Sequence, residues 1–130
     1  MKLSQLLFAV VLFVFPLFMN AQDHIGTWMT SITNPDGNTM TLHLTFNADN
    51  TYGVDFFVNG TAEEIGKYSV SNGALTMTAS NEGGGCMDKK GVYKLTADAK
   101  TLTMALVSDE CEVRKGSMNA GDSFKFTRVK

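Results

Sequence analysis

The chain has 130 residues, a formal net charge of -2 and 44% hydrophobic residues, and only 18% of its residues are charged. Because no basic excess is present, the composition argues against a nucleic-acid binder that depends on contacts with phosphates. A chain of this length builds one hydrophobic core rather than two, so we expect one folded domain.

The first segment has the composition of a secretory signal peptide. Lys2 precedes the apolar run 6–18, and the small residue Ala21 follows it. Such a run is shorter than the roughly 20 residues that span a bilayer, and its basic start and small-residue exit are typical of a cleaved signal. We therefore predict a signal peptide at 1–21, one domain at 22–130, no membrane span, and a secreted or periplasmic product of a bacterial host.

Beyond this segment, apolar residues recur at every second position rather than at helical spacing. In 39–46, apolar side chains alternate with threonines and a histidine, which is typical of a half-buried β-strand. No long stretch has helical periodicity, so the sequence predicts an all-β protein. In chain order, the pattern indicates eight strands around Trp28–Ile32, Met40–Phe46, Tyr52–Val58, Tyr68–Val70, Leu75–Met77, Tyr93–Leu95, Leu102–Leu106 and Phe124–Phe126.

The connections between these strands predict a closed barrel. Those at 47–50, 71–73 and 98–100 are short and rich in turn-forming residues, whereas those at 80–90 and 108–122 are long. Short turns pair each strand antiparallel with the next, and an eight-stranded meander of this kind can close into an up-and-down barrel without exposed sheet edges. Successive connections of a meander alternate between its two ends. Both long connections therefore fall at one end, which we call the long-loop rim.

The chain has two cysteines, Cys86 and Cys111, one in each long connection. Exported compartments are oxidising, and an even pair of cysteines in an exported protein indicates a disulfide. A zinc site needs about four ligands, and His24 and His43 have no spacing that would complete one. The sequence therefore predicts a Cys86–Cys111 disulfide at the long-loop rim, no metal and no cofactor.

Several short motifs resemble those of small secreted bacterial lipocalin-like domains. Gly26-Thr27-Trp28 is similar to the GxW motif that opens such barrels. Further similar stretches occur, in the family's order, at 66–70, 74–78, 86–95, 102–107 and 111–114. The resemblance implies that Trp28 closes one end of the barrel and that an arginine of the last strand packs across its indole. Arg128 shares parity with the inward Phe124 and Phe126, and strand eight returns beside strand one, so we expect Arg128 to be that arginine.

The inward side chains are the candidates for a ligand site. An eight-stranded barrel is just wide enough to be filled by side chains or to hold one small ligand. We expect a small cavity that binds an apolar or amphipathic molecule entering at the long-loop rim. The side chains expected to contact this molecule are Tyr52, Phe56, Tyr68, Met77, Tyr93 and Met104. The alternative is a filled barrel that presents its rim loops to a protein partner, as an interaction or inhibitor module. No catalytic constellation is visible, so we expect a binding protein rather than an enzyme.

The other polar side chains are expected at the surface. His43 falls on the threonine face of strand two and His24 precedes strand one, so both are predicted to be exposed. The charged residues around the rim are expected to form a solvated mixed-charge surface rather than a cation site. They are Lys89, Lys90, Asp109, Glu110, Glu112, Arg114 and Lys115.

Overall fold

The computed structural model describes residues 23–33 and 36–130, and the predicted signal peptide at 1–21 lies outside them. These residues form eight β-strands and one short helix, which confirms the all-β prediction and the number of strands. The elements are β1 (Gly26–Thr33), β2 (Thr39–Phe46), β3 (Thr51–Asp55), β4 (Glu64–Ser71), β5 (Ala74–Ala79), β6 (Lys90–Ala97), β7 (Thr101–Asp109), α1 (Glu112–Lys115) and β8 (Ser123–Arg128).

The strands form one closed antiparallel barrel, in which each strand pairs with the next and β8 pairs with β1. At the closing seam, Trp28 of β1 lies opposite Leu44 of β2 on one side and opposite Arg128 of β8 on the other. Every strand therefore has two neighbours and no sheet edge is left exposed. The predicted up-and-down barrel is confirmed.

β3 is shorter than the alternation predicts. The apolar pattern continues to Val58, but the strand ends at Asp55, and Phe57 is 73% exposed. The Asp55 carboxylate accepts hydrogen bonds from backbone N–H groups within 57–60, and it holds a turn where the strand pairing stops. A side-chain acceptor of this kind competes with the hydrogen bonds of the sheet, which is why the expected extension is wrong.

The core consists of the inward side chains of all eight strands. Along β4 and β7, buried and more exposed residues alternate, because successive side chains of a strand point to opposite faces. The largest apolar and aromatic side chains with almost no exposure are Trp28, Phe46, Tyr52, Leu75, Tyr93, Leu95 and Leu102.

The predicted disulfide is present at the long-loop rim. Cys86 and Cys111 are both buried, and their Cα atoms lie 5.4 Å apart. α1 begins directly after Cys111, so the bridge fastens this helix to the connection between β5 and β6. The opposite end of the barrel, around Trp28, is called the closed end below.

Candidate ligand-binding site

A cavity of about 210 Å³ lies inside the barrel and reaches the long-loop rim. Gly84, Cys86 and Val113, from the two long connections, line it at the rim, and its charged lining residues are Glu64 and Arg114. The rest of its wall is mostly apolar and is formed by Thr30, Ile32, Met40, Leu42, Leu44, Val54, Phe56, Met77, Tyr93, Met104, Phe124 and Phe126. Because Glu64 begins β4 and Arg114 belongs to α1, the charged groups lie at the rim side and the cavity has one polar end.

Four of the six side chains expected to contact a ligand line this cavity, namely Phe56, Met77, Tyr93 and Met104. The other two do not. The hydroxyl of Tyr52 is buried and donates a hydrogen bond to Glu64. Tyr68 lies at the closed end, where its hydroxyl donates to the backbone carbonyl of Asn47. Parity along a strand identifies inward side chains, but it does not determine how deep along the barrel axis each one lies.

Glu64 points into the barrel and is only 2% exposed. The Tyr52 hydroxyl donates a hydrogen bond of 2.9 Å to its Oε2 atom. Burial raises the pKa of Glu64, and the hydrogen bond from Tyr52 and the positive charge of Arg114 oppose this effect without cancelling it. The site therefore favours the neutral, protonated carboxyl more than water does. Burial, reinforced by the nearby Glu64 carboxyl, also raises the pKa of Tyr52, so its hydroxyl remains a donor.

Sequence reasoning missed Glu64, although a signal was available. In β4, Glu64, Gly66 and Tyr68 alternate as buried residues, and the last two were identified by their motif. The residue two positions before Gly66 has the same parity, so the same reasoning places the carboxylic acid of Glu64 inside the barrel. An acid at an inward position of a half-buried strand is unusual, because burying a charge without a partner is costly.

Arg114 and Asp109 form a buried ion pair at the polar end. Arg114 Nε and Nη2 donate to the two carboxylate oxygens of Asp109 at 2.7 and 2.8 Å. The two side chains are 11% and 0% exposed, respectively. Arg114 Nη2 also donates to the carbonyl of Lys89 at 3.0 Å, and the Tyr93 hydroxyl donates to Asp109. The prediction of a solvated mixed-charge surface is therefore wrong for this pair.

A β-bulge in β7 explains why Asp109 points inward. Val107 is an extra residue in this strand, because its neighbours Leu106 and Ser108 pair with consecutive residues of β6. Side chains of a strand alternate between its faces, so one extra residue moves all later side chains to the opposite face. Strict alternation from Leu106 would bury Ser108 and expose Asp109, and the bulge reverses this order.

Two glycines leave room for the carboxyl groups of the polar end. A Cβ atom on Gly91 would lie 2.8 Å from Asp109 Oδ2. A Cβ atom on Gly84 would collide with Glu64 Oε1. Side chains at these two positions would therefore displace the carboxyl groups, and the polar end depends on the absence of a Cβ atom at each.

One nitrogen atom of Arg114 has no hydrogen-bond partner among residues 23–33 and 36–130. A guanidinium group carries five N–H donors. Those of Nε and Nη2 are directed at Asp109 and at the Lys89 carbonyl, whereas Nη1 is buried and unpaired. A buried donor without an acceptor costs about 1–3 kcal/mol. An acceptor placed in the cavity beside Arg114 could supply this missing partner.

The contact expected between Trp28 and Arg128 is present at the closed end. The guanidinium carbon of Arg128 lies 4.2 Å from the centroid of the indole ring. The same guanidinium donates hydrogen bonds to the backbone carbonyls of Asp23, Ile25 and Ala99. A cation above an indole adds about 0.5–2 kcal/mol. Together these contacts tie the segment before β1 to the last strand.

His24 is buried at the closed end, so its predicted surface position is wrong. Its Nε2 atom lies 3.2 Å from the Tyr68 hydroxyl, and its carbonyl accepts a hydrogen bond of 2.8 Å from the Trp28 indole. The ring also packs edge-on against Phe46. Because the Tyr68 hydroxyl gives its proton to Asn47, Nε2 of His24 is the donor in their hydrogen bond. Burial lowers the pKa of His24 and favours its neutral form.

A second concavity, of about 590 Å³, lies on the outer face of the barrel around β2, β3 and β4. Its lining is mixed and rich in threonine and glycine, and it includes neither Glu64 nor Arg114. Ligand sites are typically apolar clefts with a few convergent polar groups. The interior cavity has both features and is therefore the candidate site.

In the part of the chain that the structure describes, no group of three or more His, Cys, Asp or Glu side chains could hold a metal ion. In the same part, no helix is long and apolar enough to cross a membrane.

No protein-family model and no curated protein matches the chain. The class that the fold defines is a closed eight-stranded up-and-down barrel with one disulfide, and its interior cavity has a polar end built from ionisable side chains.

Proposed function

We propose that this protein is an exported binding protein that takes a small amphipathic molecule into its barrel. The observation that carries the proposal is the cavity of about 210 Å³, which has an apolar wall and places Glu64 and Arg114 at one end. Ligand sites are typically apolar clefts with a few convergent polar groups, and the mouths of β-barrels are among the places where they occur. The unpaired donor atom of Arg114 adds a group that a ligand can satisfy.

The volume of the cavity restricts the ligand to a small molecule. Drug-sized ligands occupy pockets of about 300–1,000 Å³, which are larger than this one. An engineered apolar cavity of about 150 Å³ is large enough to bind benzene. By that comparison, a cavity of about 210 Å³ suits a single ring or a short chain, on the order of ten non-hydrogen atoms.

The same proposal includes membership of the lipocalin-like family and export from the cell. The stacking of Arg128 on Trp28 supports the first part, because it is the contact that the GxW resemblance implies. The Cys86–Cys111 disulfide supports the second part, because disulfides form and persist in oxidising compartments.

Native mass spectrometry of protein purified without denaturation tests ligand binding. We expect a noncovalent adduct that is released on unfolding. Adding the released compound back at a hundredfold excess over its Kd should stabilise the protein by about 2.7 kcal/mol. Val54→Phe fills the cavity and should abolish the adduct, whereas Val107→Phe, at an exposed position of the bulge in β7, is the matched control. A folded protein with no adduct, and with no affinity for a panel of small amphipathic compounds, would refute the proposal.

Apolar side chains of the rim loops favour a second candidate function, the docking of a protein partner. Phe57 and Val113 are 73% and 70% exposed, and Val58 and Met87 are also exposed in connections at this rim. Exposed apolar groups that cluster often mark interaction surfaces. In this case, Phe57→Ser combined with Val113→Ser should abolish partner binding, whereas filling the cavity with Val54→Phe should leave it unchanged.

A further inference from the structure

The polar end of the cavity contains a buried donor without an acceptor among the described residues, and it gains a second free donor when Glu64 is protonated. Arg114 Nη1 carries two hydrogen atoms and has no partner in the described part of the chain. Glu64 already accepts a hydrogen bond from Tyr52 at Oε2. When its carboxyl is protonated, it can donate a further hydrogen bond from its other oxygen atom. The group that best satisfies such an end is rich in acceptors and needs no donor of its own.

The charges at this end also restrict the ligand. Arg114 is neutralised by the bidentate carboxylate of Asp109, so the pair as a whole has no net charge. Nevertheless, the guanidinium presents its unpaired nitrogen atom, and arginine stays ionised in proteins. Charge-assisted hydrogen bonds from arginine to a carboxylate are about twice as strong as those between neutral groups. The acceptor that gains most from Arg114 is therefore an anionic oxygen.

We propose that the polar end binds the carboxylate of a small apolar monocarboxylic acid, with Arg114 Nη1 donating to one carboxylate oxygen and Glu64 next to the other. This inference rests on the proposed function, since it assigns the chemical class of the ligand of that same cavity. The apolar wall takes the hydrocarbon part, and the volume of about 210 Å³ allows a short chain or a single ring.

Binding of the anion is coupled to one proton on Glu64. The ionisable groups that face Glu64 are Tyr52 from β3, Asp109 from β7 and Arg114 from α1. If Glu64 stayed ionised, the ligand would bring a second uncompensated negative charge into a buried site. Above the pKa of Glu64, where the free site holds its carboxylate, uptake of one proton from the solvent keeps the net charge of the site the same with and without the ligand. Burial raises the pKa of Glu64, which makes this protonation easier.

Titration calorimetry with three probes of equal chain length tests the inference. These are n-octanoate, 1-octanol and n-octylamine, measured from about pH 5 to about pH 8. We expect octanoate to bind the wild-type protein at least tenfold more tightly than octanol at the acidic end of this range, the smallest effect expected for a charge-assisted hydrogen bond. The Kd of octanoate should rise by up to tenfold per pH unit above the pKa of Glu64, because one proton is bound with each anion.

Variants separate the roles of the two charged residues. Glu64→Gln should bind octanoate without the proton-linked rise in Kd, because the amide is neutral and can still donate. Arg114→Lys should weaken octanoate binding and spare octanol. Removing Arg114 alone would leave Asp109 buried and unpaired, so the stronger test is Arg114→Met combined with Asp109→Asn. This double variant should lose tenfold to hundredfold of the octanoate affinity, on the order of one charge-assisted hydrogen bond, and should keep its affinity for octanol.

The failures of the two proposals are distinguishable. Equal affinities for octanoate and octanol, unchanged by the Arg114 variants, would overturn the carboxylate site and leave ligand binding intact. Octylamine binding that is tighter than octanoate binding and is lost in Glu64→Gln would overturn it in favour of a cation site. If none of the three probes binds, the carboxylate site is refuted. If the panel and the native protein also show no ligand, the proposed function fails with it.

Discussion

Removing the Cys86–Cys111 disulfide should destabilise the barrel by an amount that its loop length sets. The bridge joins residues that are 25 apart in the sequence. The chain-entropy model then gives a stabilisation of about 3.5 kcal/mol. In a domain of this size, a loss of 1 kcal/mol lowers Tm by about 4 °C or more. We therefore expect Tm of the double variant Cys86→Ala with Cys111→Ala to fall by roughly 14 °C.

The structural change should be confined to the long-loop rim. Gly85, directly before Cys86, has a φ of +76°, and the neighbouring glycines add no steric restriction, so this connection loses order when the bridge is absent. Arg114 follows Cys111 by a single helical turn, and its ion pair with Asp109 should loosen as well. The strand pairing near Trp28 does not depend on either loop.

Trp28 provides the readout for the closed end, because the chain contains one tryptophan. Differential scanning calorimetry measures Tm, and hydrogen exchange measures the rim. In the folded variant we expect faster exchange in 81–90 and 110–118 and an unchanged emission spectrum of Trp28. Two freely titrating thiols in the native protein would refute the bridge. A change in Trp28 emission as large as the change at the rim would refute our assignment of the two ends, and an unchanged Tm would refute the loop-entropy estimate.

Other perturbations test the interior and the closed end. In Gly66→Ala, the new Cβ atom would collide with the backbone carbonyl oxygen of Thr78 and lie 2.6 Å from the ring of Tyr52, so urea unfolding should show a loss of about 1–3 kcal/mol. We expect a smaller loss in Gly53→Ala, where the nearest atom is the Cβ atom of Ala62 at 3.0 Å. Arg128→Gln removes the cation from the indole and weakens three hydrogen bonds. The free energy of unfolding should therefore fall by about 2–4 kcal/mol, and the tryptophan emission should shift. Unchanged emission would contradict the stacking. Because the pKa of His24 is lowered from 6.5, its contribution to stability should be complete above that pH and should be lost as the pH falls through the folded-state pKa. His24→Gln should abolish this acid-side decline in chemical denaturation, whereas a decline that persists as in the control His43→Gln would rule out His24 as its cause.

Local pattern was sufficient to predict the architecture. A strand of a closed barrel hides one face, so alternation appears in the sequence whatever the neighbouring strands are. The number of strands followed from this pattern, and the parity of their connections predicted that Cys86 and Cys111 lie at one rim. The contact of Arg128 with Trp28 was expected from the GxW resemblance, and the return of the last strand beside the first in a closed meander makes it possible.

The residues of the polar end could be predicted only in part from the sequence. Glu64 could have been predicted to point inward, because it continues the inward parity of Gly66 and Tyr68. The inward direction of Asp109 could not be predicted, because one extra residue at Val107 reverses the faces of the strand. The hydrogen-bond pairing with β6 decides where that residue is accommodated.

By itself, the sequence determined the all-β class, the strand count, the pairing order and the disulfide, because each depends on periodicity or on the order of elements along the chain. Only the tertiary structure decided that His24 is buried, that Arg114 pairs with Asp109 inside the rim, and that a cavity of about 210 Å³ is left. The physical reason is that burial depends on what packs over a residue in space. A cavity volume, likewise, is the small difference between the interior of the barrel and the side chains that fill it.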